Sequence, residues 1–265
     1  MQRLVAAREA DAFEVRDIHP LQTLRWLRAG WRDFTRCPLP GLLHGAACAL
    51  FGALLLAFAH DRFWLLSGAF SGFLIVAPIL ATGLYRVSQR LESDPSLGQR
   101  EGLRAALDIW RPRDGRLIVF GLLLGFAGTG WVFTSASLVT GFSGQPVRYP
   151  LEFIRHVMLH PDSWLFEAWL VLGGVLAAPV FASSVVALPL MLDRPVGVLA
   201  AVLVSWRVVL ANPVSMALWS GLLLGVSLLG MAAALVGLVV VVPWLAHASW
   251  HAYRDLVAAP AVGRA

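Results

Sequence analysis

Long apolar segments, separated by short polar ones, make up most of this chain. Residues 39–59 and 63–85 contain no Asp, Glu or Arg, and only His60-Asp61-Arg62 separates them. About 20 apolar residues in a helix are enough to cross the hydrocarbon layer of a membrane. The pattern therefore predicts two membrane spans that are joined by a tight turn.

Three further apolar stretches follow. Residues 117–142 and 164–192 are each long enough for one span, whereas the last stretch, 208–253, has 46 residues without a carboxylate or an arginine. A single helix of that length would extend about 69 Å, more than twice the thickness of the hydrocarbon layer. We therefore divide this stretch near Gly230 into a fifth and a sixth span.

The predicted fold is an all-α, polytopic membrane helix bundle with six transmembrane helices in three hairpins. The spans lie at about 39–59, 63–85, 117–142, 164–192, 213–230 and 232–253. The membrane domain would cover 39–257, after an N-terminal segment, 1–38, and before a short tail, 258–265.

Composition supports this class and excludes others. Hydrophobic residues make up 58% of the chain and charged residues only 14%, and the mean hydropathy is +0.71. An ordinary soluble domain carries roughly a quarter charged residues. The chain is therefore not expected to be a water-soluble globule, a disordered chain or a fibrous repeat.

The arginines give an orientation. Eighteen of the 21 fall in four segments that six spans would place on one side of the membrane, and only three fall on the other side. The four segments are 1–38, 86–116, 193–213 and 254–265. Because basic residues accumulate on the cytoplasmic side, both termini are predicted to be cytoplasmic. We interpret the net charge of +5 as a topology signal, and do not expect nucleic acid as a partner.

Amphipathic segments precede the first two hairpins. In the first, Leu24, Leu27 and Trp31 recur at helical spacing beside a stripe of arginines. Such a helix lies in the membrane interface, with its apolar side in the acyl boundary and its arginines towards anionic headgroups. A bilayer with anionic headgroups is thus an expected partner. The corresponding third segment, 196–210, is nearly all apolar and is predicted to be buried against the bundle.

A short motif repeats before the first, third and fifth spans, which favours three tandem units of a lead-in helix and a hairpin. The motif is Trp31-Arg32, Trp110-Arg111 and Trp206-Arg207. The last span ends similarly, at Tyr253-Arg254. Since aromatic and basic residues are enriched at the boundary between membrane and water, these eight are predicted as interface residues.

Pairs of glycines four residues apart occur in four spans. They are Gly41 and Gly45, Gly68 and Gly72, Gly121 and Gly125, and Gly221 and Gly225. Small residues at this spacing allow helix backbones to approach closely in lipid. We predict that these glycines pack helices together.

A histidine pair is the sharpest candidate for chemistry. His247 and His251 are four residues apart and therefore share one face of a helix. They are candidate ligands for a metal or a haem, but a metal site needs further ligands, and the nearest in sequence is Asp255. The alternative is that both histidines form hydrogen bonds at the interface, and the favoured expectation is that no cofactor is bound.

The rest of the sequence offers little for catalysis. The predicted spans carry no charged residue near their midplanes, although ion-coupled transporters usually place charged groups there. No phosphate-binding loop, nucleophile elbow or zinc-protease motif occurs. An enzyme and a coupled transporter are both disfavoured, whereas a facilitator for a neutral solute remains open.

Three segments are distinctive: 30–33 (Gly-Trp-Arg-Asp), 211–213 (Ala-Asn-Pro) and 247–256, which starts with His-Ala-Ser-Trp-His. They resemble a family of predicted bacterial integral membrane proteins that is defined only as a domain of unknown function. Some members are labelled as cytochrome c oxidase subunits. The resemblance, from about residue 20 to 257, implies a multi-pass protein of the bacterial inner membrane and no established activity.

The favoured function is therefore a non-catalytic accessory, assembly or scaffolding protein associated with a respiratory complex. Other inner-membrane subunits or a second copy of the chain would be its partners. The first alternative is a channel or facilitator for a neutral or weakly polar solute. The second is a redox subunit with haem or metal at His247 and His251. A haem-copper catalytic subunit is not expected, because only His44 lies well inside a predicted span.

Overall fold

The structure is a computed structural model that describes residues 2–109, 115–159 and 164–258, with side chains from Val5 onwards. Helices dominate these residues, so the all-α prediction is confirmed. In chain order the elements are α1 (Gln2–Asp11), β1 (Glu14–Val15), α2 (Gln22–Arg36), α3 (Pro38–Ala59), α4 (Phe63–Leu80), α5 (Thr82–Ser93), α6 (Gln99–Asp108), α7 (Gly115–Phe142), α8 (Pro150–Phe153), a π-helical turn (Ile154–Met158), α9 (Leu165–Ser184), α10 (Ala187–Asp193), α11 (Val198–Ala211), α12 (Pro213–Ala232), α13 (Leu238–Leu256) and β2 (Val257–Ala258).

Among the described residues, five helical segments are long and apolar enough to cross a membrane. They are Pro38–Ala59, Phe63–Ser93, Gly115–Phe142, Leu165–Asp193 and Pro213–Ala232. These segments correspond to the first five predicted spans. The second is longer than expected, because α5 continues beyond Tyr85 as a more polar helix.

The predicted sixth span, 232–253, does not meet the same criterion. The corresponding helix, α13, has an apolar first half, but its second half contains His247, His251 and Arg254. Its apolar part is therefore short.

The last apolar stretch divides into two helices, as predicted, but the break lies a few residues later than Gly230. The chain turns at 233–237, where Ala234 and Leu235 have positive φ angles of 52° and 65°. Gly237 then lies so close to the backbone of Gly230 that a Cβ atom would be 2.7 Å from the carbonyl oxygen of Gly230. This close contact brings the start of α13 back against the end of α12.

The chain forms two compact units. The first consists of Met1–Ala49, Pro78–Phe120 and Ala182–Ala265, and the second of Leu50–Ala77 and Gly121–Phe181. In the first unit α2 crosses α13 at Gly30, where a Cβ atom would be 2.7 Å from the Cα atom of Ala248. The largest buried side chains of this unit include Trp26, Trp219 and Trp250.

The N-terminal segment contains more structure than the sequence predicted. Besides the amphipathic α2, it forms α1, which packs against α11, and β1, which pairs with β2 in an antiparallel two-stranded sheet. Val15 is opposite Val257 in this sheet, and the N–H of Arg16 donates to the carbonyl of Leu256 at 2.9 Å. The segment that follows α1 is therefore adjacent to the end of α13.

Asn212 anchors this N-terminal segment at the junction of α11 and α12. Its Oδ1 accepts from the backbone N–H of Ile18 at 2.9 Å, and its Nδ2 donates to the carbonyl of Arg16 at 3.0 Å. The hydroxyl of Ser215 donates to the carbonyl of Ile18 at 3.1 Å. The start of α12 and the end of α13 are thus both bonded to residues 16–18.

As predicted, α11 is buried, through a face that includes Ala200, Ala201, Val204 and Val208. The carboxylate of Glu9 accepts from the backbone N–H of Gly197, the residue that precedes α11. A negative group at this position stabilises a helix because the first backbone N–H groups have no partner within the helix.

In the second unit α7 packs against both α4 and α9. The indole of Trp131 donates to Ser71 at 2.8 Å, and the indole of Trp169 donates to Ser135 at 2.7 Å. An apolar cluster closes one end of this unit. Its buried members are Val139, Val147, Phe153, Val157 and Leu165.

The glycine pairs behave in two ways. Gly41 and Gly45 lie against α13, where a Cβ atom on Gly41 would be 2.7 Å from Pro243. Gly68 and Gly72 lie against α7. No neighbouring atom lies within 4 Å of the Cβ position at three others, Gly125, Gly221 and Gly225.

Candidate functional site

The crossing of α2 and α13 brings together a buried polar cluster that also includes a residue of α5. Oδ2 of Asp33 lies 2.9 Å from the hydroxyl of Ser88 and 2.8 Å from Nε2 of His251. The same hydroxyl lies 2.8 Å from Nδ1 of His247. We call these four residues the histidine–aspartate cluster.

Hydrogen-bond chemistry fixes the direction of this chain of bonds. An ionised carboxylate can only accept hydrogen bonds, so the single hydroxyl hydrogen of Ser88 points to Asp33. The Ser88 oxygen must then accept the hydrogen on Nδ1 of His247. This leaves Nε2 of neutral His247 as an acceptor, and His251 donates to Asp33 from its Nε2.

The acidity of Asp33 reflects this environment. Burial by itself would raise the pKa of the Asp33 carboxyl, but the hydrogen bond and the positive charge of His251, together with the hydrogen bond from Ser88, lower it below its ordinary value of 3.8. Asp33 is only 4% exposed. The cluster therefore holds an ionised carboxylate in the interior of the first unit.

His247 is completely buried, and its Nε2 atom has no hydrogen-bond partner among the described residues. Nδ1 of His247 is bonded to Ser88, so the lone pair on the buried Nε2 atom is available. A positive charge on His247 would be buried with no acceptor for a hydrogen on Nε2, and this favours the neutral imidazole.

A second polar cluster ties together the ends of α5, α10 and α13. Asp193 accepts from the phenol of Tyr253 at 2.7 Å and from the amide of Gln89 at 2.7 Å. Arg254 pairs with Glu92 at 3.3 Å and with Asp193 at 3.5 Å. These five residues form what we call the helix-end cluster, and together they join three helices.

Two buried tryptophans extend these contacts. The indole of Trp250 donates to Glu92 at 2.9 Å, and the indole of Trp26 donates to Asp255 at 2.7 Å. Trp26 also packs edge-on against Trp219, with ring centroids 5.2 Å apart. Both carboxylates are thus bonded to side chains of neighbouring helices in the first unit.

The proposed metal ligands His247 and His251 do lie in one cluster, but their hydrogen bonds direct one imidazole to Ser88 and the other to Asp33. Within the part of the chain that the structure describes, no three His, Cys, Asp or Glu side chains are grouped so that they could hold a metal ion. Asp255, the nearest acidic residue in sequence, is instead bonded to Trp26.

The predicted interface residues have different surroundings. Trp31 and Arg32 are exposed, and Trp31 packs edge-on against Trp244 at a centroid distance of 5.6 Å. Trp206 is about one-third exposed and donates to Ser183. Arg207 donates to the carbonyl of Ala10 and pairs with Asp11, which fastens α11 to the N-terminal segment. Trp110 and Arg111 lie outside the described residues, as does the tail after residue 258.

Tyr253 needs a correction, whereas Arg254 is exposed. Tyr253 is only 3% exposed, so its ring packs in the protein interior and cannot face a membrane surface. Arg254 pairs with carboxylates of two other helices. Their sequence resembles an interface anchor, but the tertiary structure places both in the helix-end cluster.

Sequence reasoning missed Asp33, Ser88, Glu92 and Asp193. A signal for Asp33 did exist, because it lies three residues after Gly30 and seven after Trp26, on the face of α2 that is buried. That spacing identifies one side of a helix. The other three could not be found in this way, since they follow apolar spans as ordinary polar flanks.

A comparison with protein families gives one match. The profile of the family described as "Predicted integral membrane protein (DUF2189)" matches residues 65–193. With the five apolar helices, this match establishes the class of protein. The chain is a multi-pass integral membrane protein. No curated protein and no solved structure matches it.

The matched range extends from α4 to the end of α10 and covers a little under half of the chain. It contains Ser88, Glu92 and Asp193, so three of the four residues that sequence reasoning missed belong to the matched region. The distinctive segments 30–33, 211–213 and 247–256 lie outside it. The description of the family contains no activity and no reference to an oxidase.

Proposed function

We propose that this membrane protein is a non-catalytic accessory, assembly or scaffolding protein of the bacterial inner membrane. The proposal rests on the hydrogen bonds of four acidic side chains in the first unit. Asp33, Glu92, Asp193 and Asp255 are each bonded to a side chain from another helix. These groups hold helices together, as expected of a rigid support for other subunits.

The apolar surface is consistent with such a support. Large side chains such as Phe58, Phe126 and Val171 are between two-thirds and four-fifths exposed on helices that are long enough to cross a membrane. Lipid covers such surfaces, and so do the spans of a partner. We propose another inner-membrane subunit, such as one from a respiratory complex, or a second copy of the chain.

We also propose six membrane crossings in three hairpins, with both termini in the cytoplasm. Five crossings would separate the two ends, whereas β1 and β2 pair directly. The start of α12 and the end of α13 are both bonded to residues 16–18, which supports a hairpin that returns to the side from which it entered. The excess of arginines in the connecting segments supports the cytoplasmic assignment.

Two matched fusions test this topology. Alkaline phosphatase, which is active only in the periplasm, is joined either after Leu235, in the turn between α12 and α13, or after Ala258. We expect activity only from the first fusion, and fluorescence from a cytoplasmic reporter only at the second position. An active phosphatase after Ala258 would contradict the sixth crossing.

Co-purification tests the function. The chain is extracted in mild detergent, captured through a C-terminal tag, and its stoichiometric partners are identified by mass spectrometry. We expect at least one other integral membrane subunit or a defined oligomer of the chain. Passage of a neutral solute through liposomes that contain only the purified chain would favour the alternative, a facilitator. A haem absorption band in the same sample, lost in His247→Ala, would favour a redox subunit.

A further inference from the structure

The helix α2 presents two different faces. One face, which includes Trp26, Gly30 and Asp33, is buried against α13 and the polar cluster. The opposite face bears four arginines, all of them exposed: Arg25, Arg28, Arg32 and Arg36. Within the described part of the chain, none of these four forms an ion pair. The helix is therefore fixed on one side and cationic on the other.

A fifth arginine extends this surface. The side chain of Gln99, the first residue of α6, donates to the carbonyl of Arg36 at 3.1 Å and accepts from the N–H of Leu39 at 3.0 Å. Gly102 packs against the sulfur of Cys37. The exposed Arg100 follows Gln99 directly, so it lies beside the end of α2. We call the four arginines of α2 and Arg100 the arginine face.

The position of α2 along the chain identifies the surroundings of this face. Only Cys37 separates α2 from α3, which begins at Pro38 and is the first apolar helix long enough to cross a membrane. Leu24 and Trp31 are about half exposed beside the arginines. A surface at the start of a membrane helix that combines arginines with exposed apolar groups fits the boundary between acyl chains and headgroups.

We propose that the arginine face binds anionic phospholipid headgroups directly. A guanidinium group can donate two parallel hydrogen bonds to a phosphate, and the fixed inner face of α2 would hold the five guanidinium groups at a constant place on the protein. A specific headgroup site differs from general attraction to a charged membrane, because it retains its lipid in detergent. This proposal does not depend on the accessory function proposed above.

Binding of a fluorescent phosphatidylglycerol to the full chain in a neutral detergent tests the proposal. The test variant carries Arg25→Gln, Arg28→Gln, Arg32→Gln and Arg36→Gln together. The matched control carries Arg62→Gln, Arg148→Gln and Arg155→Gln, three arginines outside α2 and α6. We expect at least tenfold weaker binding in the test variant and less than twofold change in the control, since each basic group near a membrane surface contributes roughly fivefold in affinity.

Further measurements distinguish a headgroup site from general charge attraction and from binding of a free phosphate. Lysine at the same four positions keeps the charge but cannot donate two parallel hydrogen bonds to one phosphate, so we expect it to restore only part of the affinity. Added salt should weaken binding by the wild type more than binding by the test variant. Glycerol 3-phosphate alone should not compete at millimolar concentration. The proposal would be overturned by any of three results. These are equal weakening of binding in the test and control variants, equal binding of phosphatidylcholine, and full competition by glycerol 3-phosphate. All variants should keep the thermal midpoint of the wild type, because the arginines are exposed.

Discussion

Nε2 of His251 lies 2.8 Å from Oδ2 of Asp33, although 218 residues separate the two in sequence. The bond connects α2, which precedes the first apolar helix, with α13, which follows the last one. Both side chains are largely removed from solvent, so the bond is screened less than a surface ion pair. It is a direct tie between the two ends of the fold.

The energy of this tie can be measured with a double-mutant cycle. Asp33→Asn and His251→Gln are each expected to lower the free energy of unfolding, by about 2–4 kcal/mol, because each removes one partner of a buried, charge-assisted hydrogen bond. The double variant should lose less than the sum, with a coupling energy of roughly 1–3 kcal/mol. Unfolding in detergent, followed by tryptophan fluorescence, provides the values. Strict additivity would show that the contact contributes nothing of its own.

The pH dependence follows from the lowered pKa of Asp33. A carboxyl whose pKa is lower in the folded state contributes stability that is present above the ordinary value of 3.8 and is lost as the pH falls through the lower folded value. We therefore expect the wild type to unfold at a lower temperature once the pH is below about 4. In Asp33→Asn, which is less stable at pH 7, that lowering of the unfolding temperature should be smaller.

Asp61→Asn is a suitable control for this pH series. The Asp61 side chain is about half exposed, and its nearest cation, Arg62, is 4.0 Å away. Exposed pairs at such a distance contribute little to stability. The thermal midpoint of this variant should therefore change with pH as that of the wild type does. If the midpoint of Asp33→Asn also falls as steeply as that of the wild type below pH 4, Asp33 is not the group responsible.

Gly30→Ala should separate α2 from α13. The added Cβ atom would lie 2.7 Å from Cα and 2.8 Å from Cβ of Ala248, closer than such atoms can approach. We expect a loss of about 1–3 kcal/mol, as for other overpacked sites, and faster proteolysis near α2. The matched change Gly125→Ala, with no atom within 4 Å, should be neutral or slightly stabilising, because alanine favours a helix.

Asn212→Ala should release the N-terminal segment. The change leaves the N–H of Ile18 and the carbonyl of Arg16 without their partner, at a cost of about 1–3 kcal/mol. Hydrogen exchange should become faster in residues 14–18 and at β2. Ser220→Ala serves as the control, since its hydroxyl bonds only to the carbonyl of Ala217 in its own helix. Unchanged exchange at Ile18 would show that β1 is held without Asn212.

The sequence predicted the helices far better than it predicted their contacts. Runs of apolar residues identified five helical segments that are long and apolar enough to cross a membrane, because hydropathy and length are local properties. The same reasoning assigned Tyr253 to a membrane boundary, since its position after an apolar run is typical of an interface residue. The structure buries Tyr253 against Asp193. A local pattern shows that a side chain lies near a helix end, but not what it contacts there.

The candidate site illustrates the same difference. The spacing of His247 and His251 predicted that they share one face of a helix, and that holds. Their partners, Asp33 and Ser88, come from helices that are distant in sequence. The sequence by itself therefore determined the class of protein and most of the helices in the described part of the chain, because these depend on hydrophobicity alone. Only the tertiary structure decided that the histidines bond to a serine and a carboxylate, because that depends on how α2, α5 and α13 pack, with Gly30 against Ala248.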